Sequence, residues 1–157
     1  MRNNRKGEGY ILPCVLILVV CMILSVFVSF ALSVNVIRMS KRNTRVVLDS
    51  FVMQNSILIY DSIKNGNDFT EYLDEDEYID ALCEFCTLDK RGENLYAYDN
   101  DGNENYRISV PEIGYNYDNT LKIYTSYTIF VPVYFAGVRV ETVEVPLTID
   151  SEFSDKF

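Results

Sequence analysis

Cys83 and Cys86, in the segment CEFC, are the residues whose type and spacing most directly suggest chemistry in this chain. A C-x-x-C pair exchanges thiols and disulfides when one thiolate has a depressed pKa, usually beside a βαβ unit. The surrounding sequence has no βαβ pattern, and its carboxylates raise the pKa of a thiol. We therefore predict a structural disulfide or two free thiols. Thiol exchange by an exported oxidoreductase and an intermolecular disulfide are the alternatives.

A second group of candidate ligands lies in the segment DNDGNEN. Asp99, Asp101 and Asn103 have the spacing of the early ligands of a calcium-binding loop. Such a loop has glycine at its sixth position and glutamate at its twelfth, whereas Gly102 is fourth here and the later glutamate is missing. Asp101-Gly102 is typical of a β-hairpin turn. We therefore predict a hairpin, with a weak calcium site as the alternative.

The remaining polar residues exclude most catalytic machinery. The chain contains no histidine, which excludes Ser-His-Asp and Cys-His catalysis and imidazole metal ligands. A zinc ribbon is excluded because Cys83 and Cys86 have no third and fourth Cys or His ligand beyond the apolar N-terminal run. One acidic run is predicted to be the solvated face of a short helix: Asp74, Glu75, Asp76, Glu77 and Asp80. We predict a protein that is not an enzyme and needs no cofactor.

The scaffold for these residues begins with one long helix. Residues 10–37 carry no charge, and this run exceeds the roughly 20 helical residues that cross a bilayer. No glycine or proline occurs over residues 14–65. Beyond Arg38 an apolar stripe continues at roughly helical spacing: Val47, Leu48, Phe51, Val52, Leu58 and Ile63. Gly66 then supplies a helix stop. We predict a transmembrane helix over 10–37 that continues outside the membrane over 38–65.

Residues 66–157 are predicted to form an acidic α+β head domain. Asp68 or Thr70 could cap a short helix, and from about residue 95 the apolar period changes to two, which indicates an antiparallel sheet of four to five strands. A change of parity near Thr142 predicts a β-bulge or a strand that changes partner. The predicted fold class is therefore α+β, with a long N-terminal α-helix, a short helix and a small antiparallel β-sheet.

Charge divides the chain into a basic anchor and an acidic head. Residues 1–60 hold seven Lys or Arg and two Asp or Glu, a balance of +5, whereas residues 61–157 hold seven and 21, a balance of −14. Because such a head repels phosphates, no nucleic-acid partner is expected. The basic segment 1–9 favours a cytoplasmic N-terminus. We predict a single-pass protein of the cell membrane with an extracellular C-terminal domain.

A cleaved signal peptide is the alternative to the anchor. Ser29-Phe30-Ala31 fits a small-x-small cleavage site. The apolar run is longer than the usual core of a signal peptide, about 7–15 residues, and the helical pattern continues past the site. The anchor is therefore favoured.

The basic start, Glu8 and Pro13 near the beginning of the apolar run, the single long helix and the small β-rich head together resemble a type IV pilin-like subunit. More narrowly, they resemble the TadE-like pilus assembly proteins of bacterial tight-adherence loci, which have a glutamate and a proline close together at the start of the membrane helix. Glu8 and Pro13 match that pair approximately. The chain departs from the family's processing site, because after Gly7 the fifth residue is Leu12 and not a glutamate.

The resemblance implies a non-enzymatic, membrane-anchored subunit or assembly component of a bacterial tight-adherence (type IV-like) pilus or secretion system. It implies as partners membrane lipid, other pilin-like or pilus assembly membrane proteins and further copies of the chain. Glu8 would be the assembly residue, pairing with a basic group of a neighbour. The alternative, of a different class, is a bitopic anchored extracellular binding module that does not polymerise.

Overall fold

The first element is a single helix that includes more than a third of the chain. A computed structural model describes the backbone of residues 8–117, 120–135 and 138–153, and the side chains of residues 11–116, 120–134 and 138–151. Helix α1 covers Glu8–Asn65, 58 residues, and at 1.5 Å per residue it is about 87 Å long. The predicted long helix is confirmed.

The C-terminal end of α1 has the geometry that the sequence predicted. Gly66 has a φ of 70°, in the left-handed region. Its N–H donates to the carbonyl of Ile63 (3.2 Å), and the N–H of Asn67 donates to the carbonyl of Ser62 (2.8 Å). These two bonds form a Schellman motif, which satisfies carbonyls that the helix leaves free.

A 3₁₀ turn and a second helix follow. Asp68 accepts a hydrogen bond from the N–H of Thr70 (2.9 Å) and begins only the 3₁₀ turn Thr70–Tyr72. Helix α2, Glu75–Cys86, is capped by Asp74. The prediction that Asp68 or Thr70 caps the helix is therefore wrong. Asp74 is the cap because α2 begins at Glu75, the start from which Tyr78 and Leu82 reach the core.

Six strands form one antiparallel sheet. Their bounds are β1 Asp89–Arg91, β2 Asn94–Tyr98, β3 Glu104–Ser109, β4 Glu112–Tyr117, β5 Leu121–Phe135 and β6 Val138–Phe153. β6 pairs with β5 over its whole length, while β4 and then β3 pair with the other side of β5, followed outward by β2 and β1. The α+β fold is confirmed. The sheet has one strand more than expected and begins at Asp89, because the three-residue β1 pairs with β2.

The long hairpin of β5 and β6 contains the predicted irregularity. Val133 pairs with Glu141, but Tyr134 pairs with Arg139, so Val140 is the extra residue of a β-bulge. The bulge predicted near Thr142 is confirmed. Hairpin strands of about 15 residues reach roughly 50 Å at 3.3 Å per residue, which is long for a head of this size.

The core lies between one face of this sheet and the second half of α1, with α2 closing one side. The helix buries two adjacent pairs one turn apart and a fifth residue two turns further along: Val47, Leu48, Phe51, Val52, Ile59. Their partners include Tyr78 and Leu82 of α2 and Leu95, Ile108, Ile123 and Ile129 of the sheet. The predicted stripe is confirmed at four of these positions. Ile63 is partly buried and packs against the core. The stripe is wrong at Leu58, which is 47% exposed, because the neighbouring Ile59 is the residue that is buried in the core.

Candidate functional site

The first part of α1 stands free of the head. All side chains of residues 11–28 are exposed, and all of them are uncharged. Within the described part of the chain, α1 is the one helix long and apolar enough to cross a membrane. Eighteen helical residues span about 27 Å, close to the roughly 30 Å of a bilayer's hydrocarbon core. One long apolar helix near the N-terminus is compatible with a single-pass membrane anchor.

The head first meets the helix at Ser29, inside the apolar run. The hydroxyl of Ser29 lies 3.2 Å from the carbonyl oxygen of Tyr134 and 3.0 Å from that of Ser25, so its proton is shared between them. Ser33, one turn further along, is the first buried residue of α1. The far end of the β5–β6 hairpin therefore lies beside residues that the sequence assigned to the membrane span 10–37.

Further along the helix, a buried tyrosine joins α1 to β5. The hydroxyl of Tyr127 forms hydrogen bonds with Thr44 (3.0 Å) and Ser40 (3.4 Å), and all three side chains are buried. Burial raises the pKa of Tyr127, although the two hydroxyls partly oppose the shift. Together with the apolar core, these polar contacts hold the hairpin in its position along the helix.

The hairpin tip exposes apolar side chains. Val138 is 66% exposed and Val140 is 64% exposed, and Tyr134 beside them is also exposed. The charged residue between the valines is turned back toward the sheet, since Arg139 contacts Glu104 (3.4 Å) and donates to Thr142 (2.7 Å). The segment Phe135-Ala136-Gly137-Val138 is typical of a turn, but residues 136 and 137 lie outside the described residues.

A groove of about 400 Å³ opens between this hairpin and α1. Its lining is almost wholly apolar and includes Val26, Phe30 and Val34 of the helix and Val140 and Val143 of β6. Sequence reasoning missed this surface. The alternation of Val138 and Val140 is typical of any half-buried strand, and no local pattern places it beside the helix.

A second surface that sequence reasoning missed runs along the outer face of α1. Five large apolar side chains are exposed there at intervals of seven residues: Leu32, Met39, Val46, Met53 and Tyr60. We call this set the outer stripe. A seven-residue repeat is typical of a helix that contacts another helix. The outer stripe is one side chain wide over most of its length and widens near its end, where Ile57 is also exposed.

Cys83 and Cys86 lie one turn apart on α2 as free, half-buried thiols. Burial raises the pKa of both, that of Cys86 to about 11, and the carboxylate of Asp80 adds to the shift at Cys83. The predicted direction is confirmed, but burial is a larger cause than the acidic surroundings. At neutral pH both thiols are protonated and are poor nucleophiles. The helical spacing puts their Cα atoms about 5 Å apart, within the range of a disulfide, so the disulfide stays a prediction.

The DNDGN segment forms the turn of the β2–β3 hairpin. One carboxylate oxygen of Asp99 accepts the N–H groups of Asp101 (2.9 Å) and Asn103 (2.8 Å), and Gly102 has a φ of 81°. These bonds lower the pKa of Asp99. The hairpin is confirmed. The calcium alternative stays a prediction, and no group of three or more His, Cys, Asp or Glu side chains among the described residues is arranged to hold a metal ion.

The other predicted site residues lie apart from these surfaces. The acidic run Asp74–Asp80 has its carboxylates exposed, as predicted for a solvated helix face, and Asp76 is 3.8 Å from Lys90. Glu8 is the first residue of α1, and its side chain lies outside the described part of the chain. Its assembly role therefore stays a prediction.

Comparison of the chain with protein-family models, with curated proteins and with solved structures finds no match in any of the three. The features that bear on function are therefore the exposed surfaces of α1 and of the hairpin beside it.

Proposed function

We propose that this chain is a non-enzymatic, membrane-anchored pilin-like subunit or assembly component of a bacterial tight-adherence (type IV-like) pilus or secretion system. The observation that carries the proposal is the division of α1 into two apolar faces. One face is buried under the head, and the other is exposed along the bare segment 11–28 and along the outer stripe. A helix that keeps a second apolar face beyond its own head is suited to lateral contact with other helices.

The proposed mechanism is helix packing. The bare segment contacts lipid or neighbouring helices, and the outer stripe contacts an equivalent helix outside the membrane. Met53, for example, is 77% exposed, and burying one such side chain between two helices contributes about 1.5–3 kcal/mol to their association. Glu8 would pair with a neighbour's N-terminal amine or basic group and set the register between subunits. The Glu8→Ala variant is expected to lose assembly and partner recovery.

Cysteine cross-linking in native membranes tests this proposal. The four native cysteines are replaced, and Met53→Cys is introduced as the only thiol. Leu58→Cys is the matched control, because Leu58 is also an exposed apolar residue of α1 but lies away from the outer stripe. We expect oxidation to join Met53→Cys to the same residue of a second copy, and to leave Leu58→Cys monomeric. Equal cross-linking of the two variants, or none, would contradict the proposal.

A mixed groove on the outer side of α1 favours a second candidate, the anchored binding module that does not polymerise. The groove has a volume of about 510 Å³, and its lining includes Arg38, Arg42, Met39 and Phe85, with Phe85 exposed. Two guanidinium groups beside an aromatic ring suit a partner that is both anionic and apolar. In that case Phe85→Ala would weaken partner capture, and Met53→Ala, a variant of the outer stripe that lies outside this groove, would leave it unchanged.

A further inference from the structure

The position of the hairpin tip relative to a bilayer follows from lengths along α1. Charged residues precede the apolar run at Lys6 and Glu8, so the inner boundary of the hydrocarbon core falls near Ile11. About 20 helical residues cross that core, which puts the outer boundary near Phe30. Ser29, whose hydroxyl contacts the carbonyl of Tyr134, lies at this boundary.

The chemistry of the tip fits the same depth. Val138 and Val140 are exposed, and Val140 shares the apolar groove with Val26 and Phe30. Their exposed surface is therefore continuous with that of the bare helix. Tyr134 lies beside them, and tyrosine is enriched at the membrane–water interface. Arg139 keeps its charge away from this surface through Glu104 and Thr142.

The first basic residues after the apolar run agree with this boundary. Arg38 lies eight residues beyond Phe30, about 12 Å further along the helix. Lys41 and Arg42 follow within about another turn. This distance puts positive side chains at the level of the lipid phosphates or just above them, where they are attracted to anionic lipid.

We propose that the tip of the β5–β6 hairpin is a second membrane contact, in which Val138, Val140 and Tyr134 enter the interfacial region of the outer leaflet beside α1. This inference rests on the proposed membrane anchor. The molecule would then be held to the bilayer at two points, the helix and the hairpin, and the tilt of α1 relative to the bilayer would be restricted. Two contacts would present the outer stripe to neighbours in a constant orientation.

Depth-dependent fluorescence quenching of the full-length protein tests the inference. The protein is placed in vesicles of phosphatidylcholine and phosphatidylglycerol, with one thiol carrying an environment-sensitive fluorophore. Three single-cysteine proteins are compared. Native Cys21 lies within the bare helix, Val138→Cys lies at the hairpin tip, and Thr148→Cys is an exposed position of β6 ten residues from the tip. The quenchers are lipids with a nitroxide placed either shallow or deep on the acyl chain.

We expect the deep nitroxide to quench the label at Cys21, the shallow nitroxide to quench the label at position 138, and neither to quench the label at position 148. The emission of the label at position 138 should also shift to shorter wavelength when the protein enters vesicles. Quenching at Cys21 with none at position 138 would overturn this inference and leave the anchor intact. Loss of quenching at Cys21 would overturn the anchor itself.

A different occupant would also be visible in this experiment. An emission shift at position 138 that no lipid nitroxide quenches, and that disappears when the protein is diluted into excess lipid, would show that a second copy covers the tip. That result overturns the lipid contact. The label replaces an exposed side chain, so a failure to fold is not expected to obscure the outcome.

Discussion

Removing one hydroxyl from the interface between helix and sheet should weaken the whole head. Tyr127 is 4% exposed, and its hydroxyl is the shared partner of Thr44 and Ser40. The Tyr127→Phe variant leaves two buried hydroxyls without this partner. A buried polar group that loses its hydrogen bond costs about 1–3 kcal/mol. Because Thr44 is the closer of the two, we expect a loss near the middle of that range, about 2 kcal/mol in the free energy of unfolding.

A second variant separates the effect of losing the hydrogen bond from the effect of changing the side-chain volume. Thr44→Val removes the other partner and keeps the volume of the side chain. Removing both partners of a buried hydrogen bond costs much less than leaving one of them unpaired. The double variant Tyr127→Phe/Thr44→Val should therefore be more stable than the sum of the single effects predicts, by about 1 kcal/mol, as is usual for residues in contact.

Denaturant unfolding of the full-length protein in detergent micelles measures these differences. Near-ultraviolet circular dichroism of tyrosine is the suitable signal, because 11 of the 12 tyrosines follow residue 59 and the chain has no tryptophan. It reports the head and not the bare helix. An unchanged midpoint for Tyr127→Phe, or strictly additive effects in the double variant, would refute the reasoning that this hydroxyl joins α1 to β5.

Three further predictions concern the head and the helix ends. Burial raises the pKa of Tyr78 and raises that of Tyr106 to about 12, so both stabilise the fold in their neutral form. The raised pKa of the two thiols should lower stability as the pH rises above about 8.5, the unfolded pKa of cysteine, and the two tyrosines should make the fall steeper above about pH 10. A pH titration of the unfolding midpoint checks this, and a flat profile to pH 12 would contradict it. Asp74→Ala removes the N-cap of α2 and should cost about 1 kcal/mol, whereas Asp68→Ala, which affects only the 3₁₀ turn, should cost less in the same denaturant assay. Gly66→Ala places a Cβ at a φ of 70° with no neighbour within 4 Å. Its cost of about 1–2 kcal/mol in the free energy of unfolding would therefore come only from the left-handed backbone conformation. Thermal unfolding measures this cost, and a stabilised variant would show that the Schellman motif at the end of α1 is not retained.

Much of the fold was predictable because it depends on local chemistry. The long helix follows from the absence of glycine and proline over residues 14–65 and from the stop at Gly66. The β2–β3 hairpin follows from Asp101-Gly102, and the bulge follows from the change of parity that leaves Val140 unpaired. In each case a few neighbouring residues determine the backbone, so no distant contact is needed to predict the result.

The cap of α2 and the shape of the sheet were predicted less well. Asp68, Thr70 and Asp74 are all acceptable caps when judged locally. The choice among them depends on where α2 must begin for Tyr78 and Leu82 to reach the core. The short strand β1 has no apolar pattern, because all three of its side chains are exposed, and only its pairing with β2 defines it.

The candidate site also has one part that could be predicted from local sequence and one part that could not. Composition and length alone show that α1 has an uncharged segment long enough to cross a membrane, because the thickness of the hydrocarbon core and the rise of a helix are fixed lengths. Helical periodicity also showed that apolar residues continue beyond Arg38. It could not show that Leu48 and Ile59 face the sheet while Met53 and Tyr60 face solvent, because a helix with apolar residues on two sides has no local preference between them. Only the tertiary structure decided that choice, through the side chains that fit between α1 and β5. It also decided how far the β5–β6 hairpin extends along the helix, because the reach of a strand is set by the partners that it pairs with and not by its own alternation.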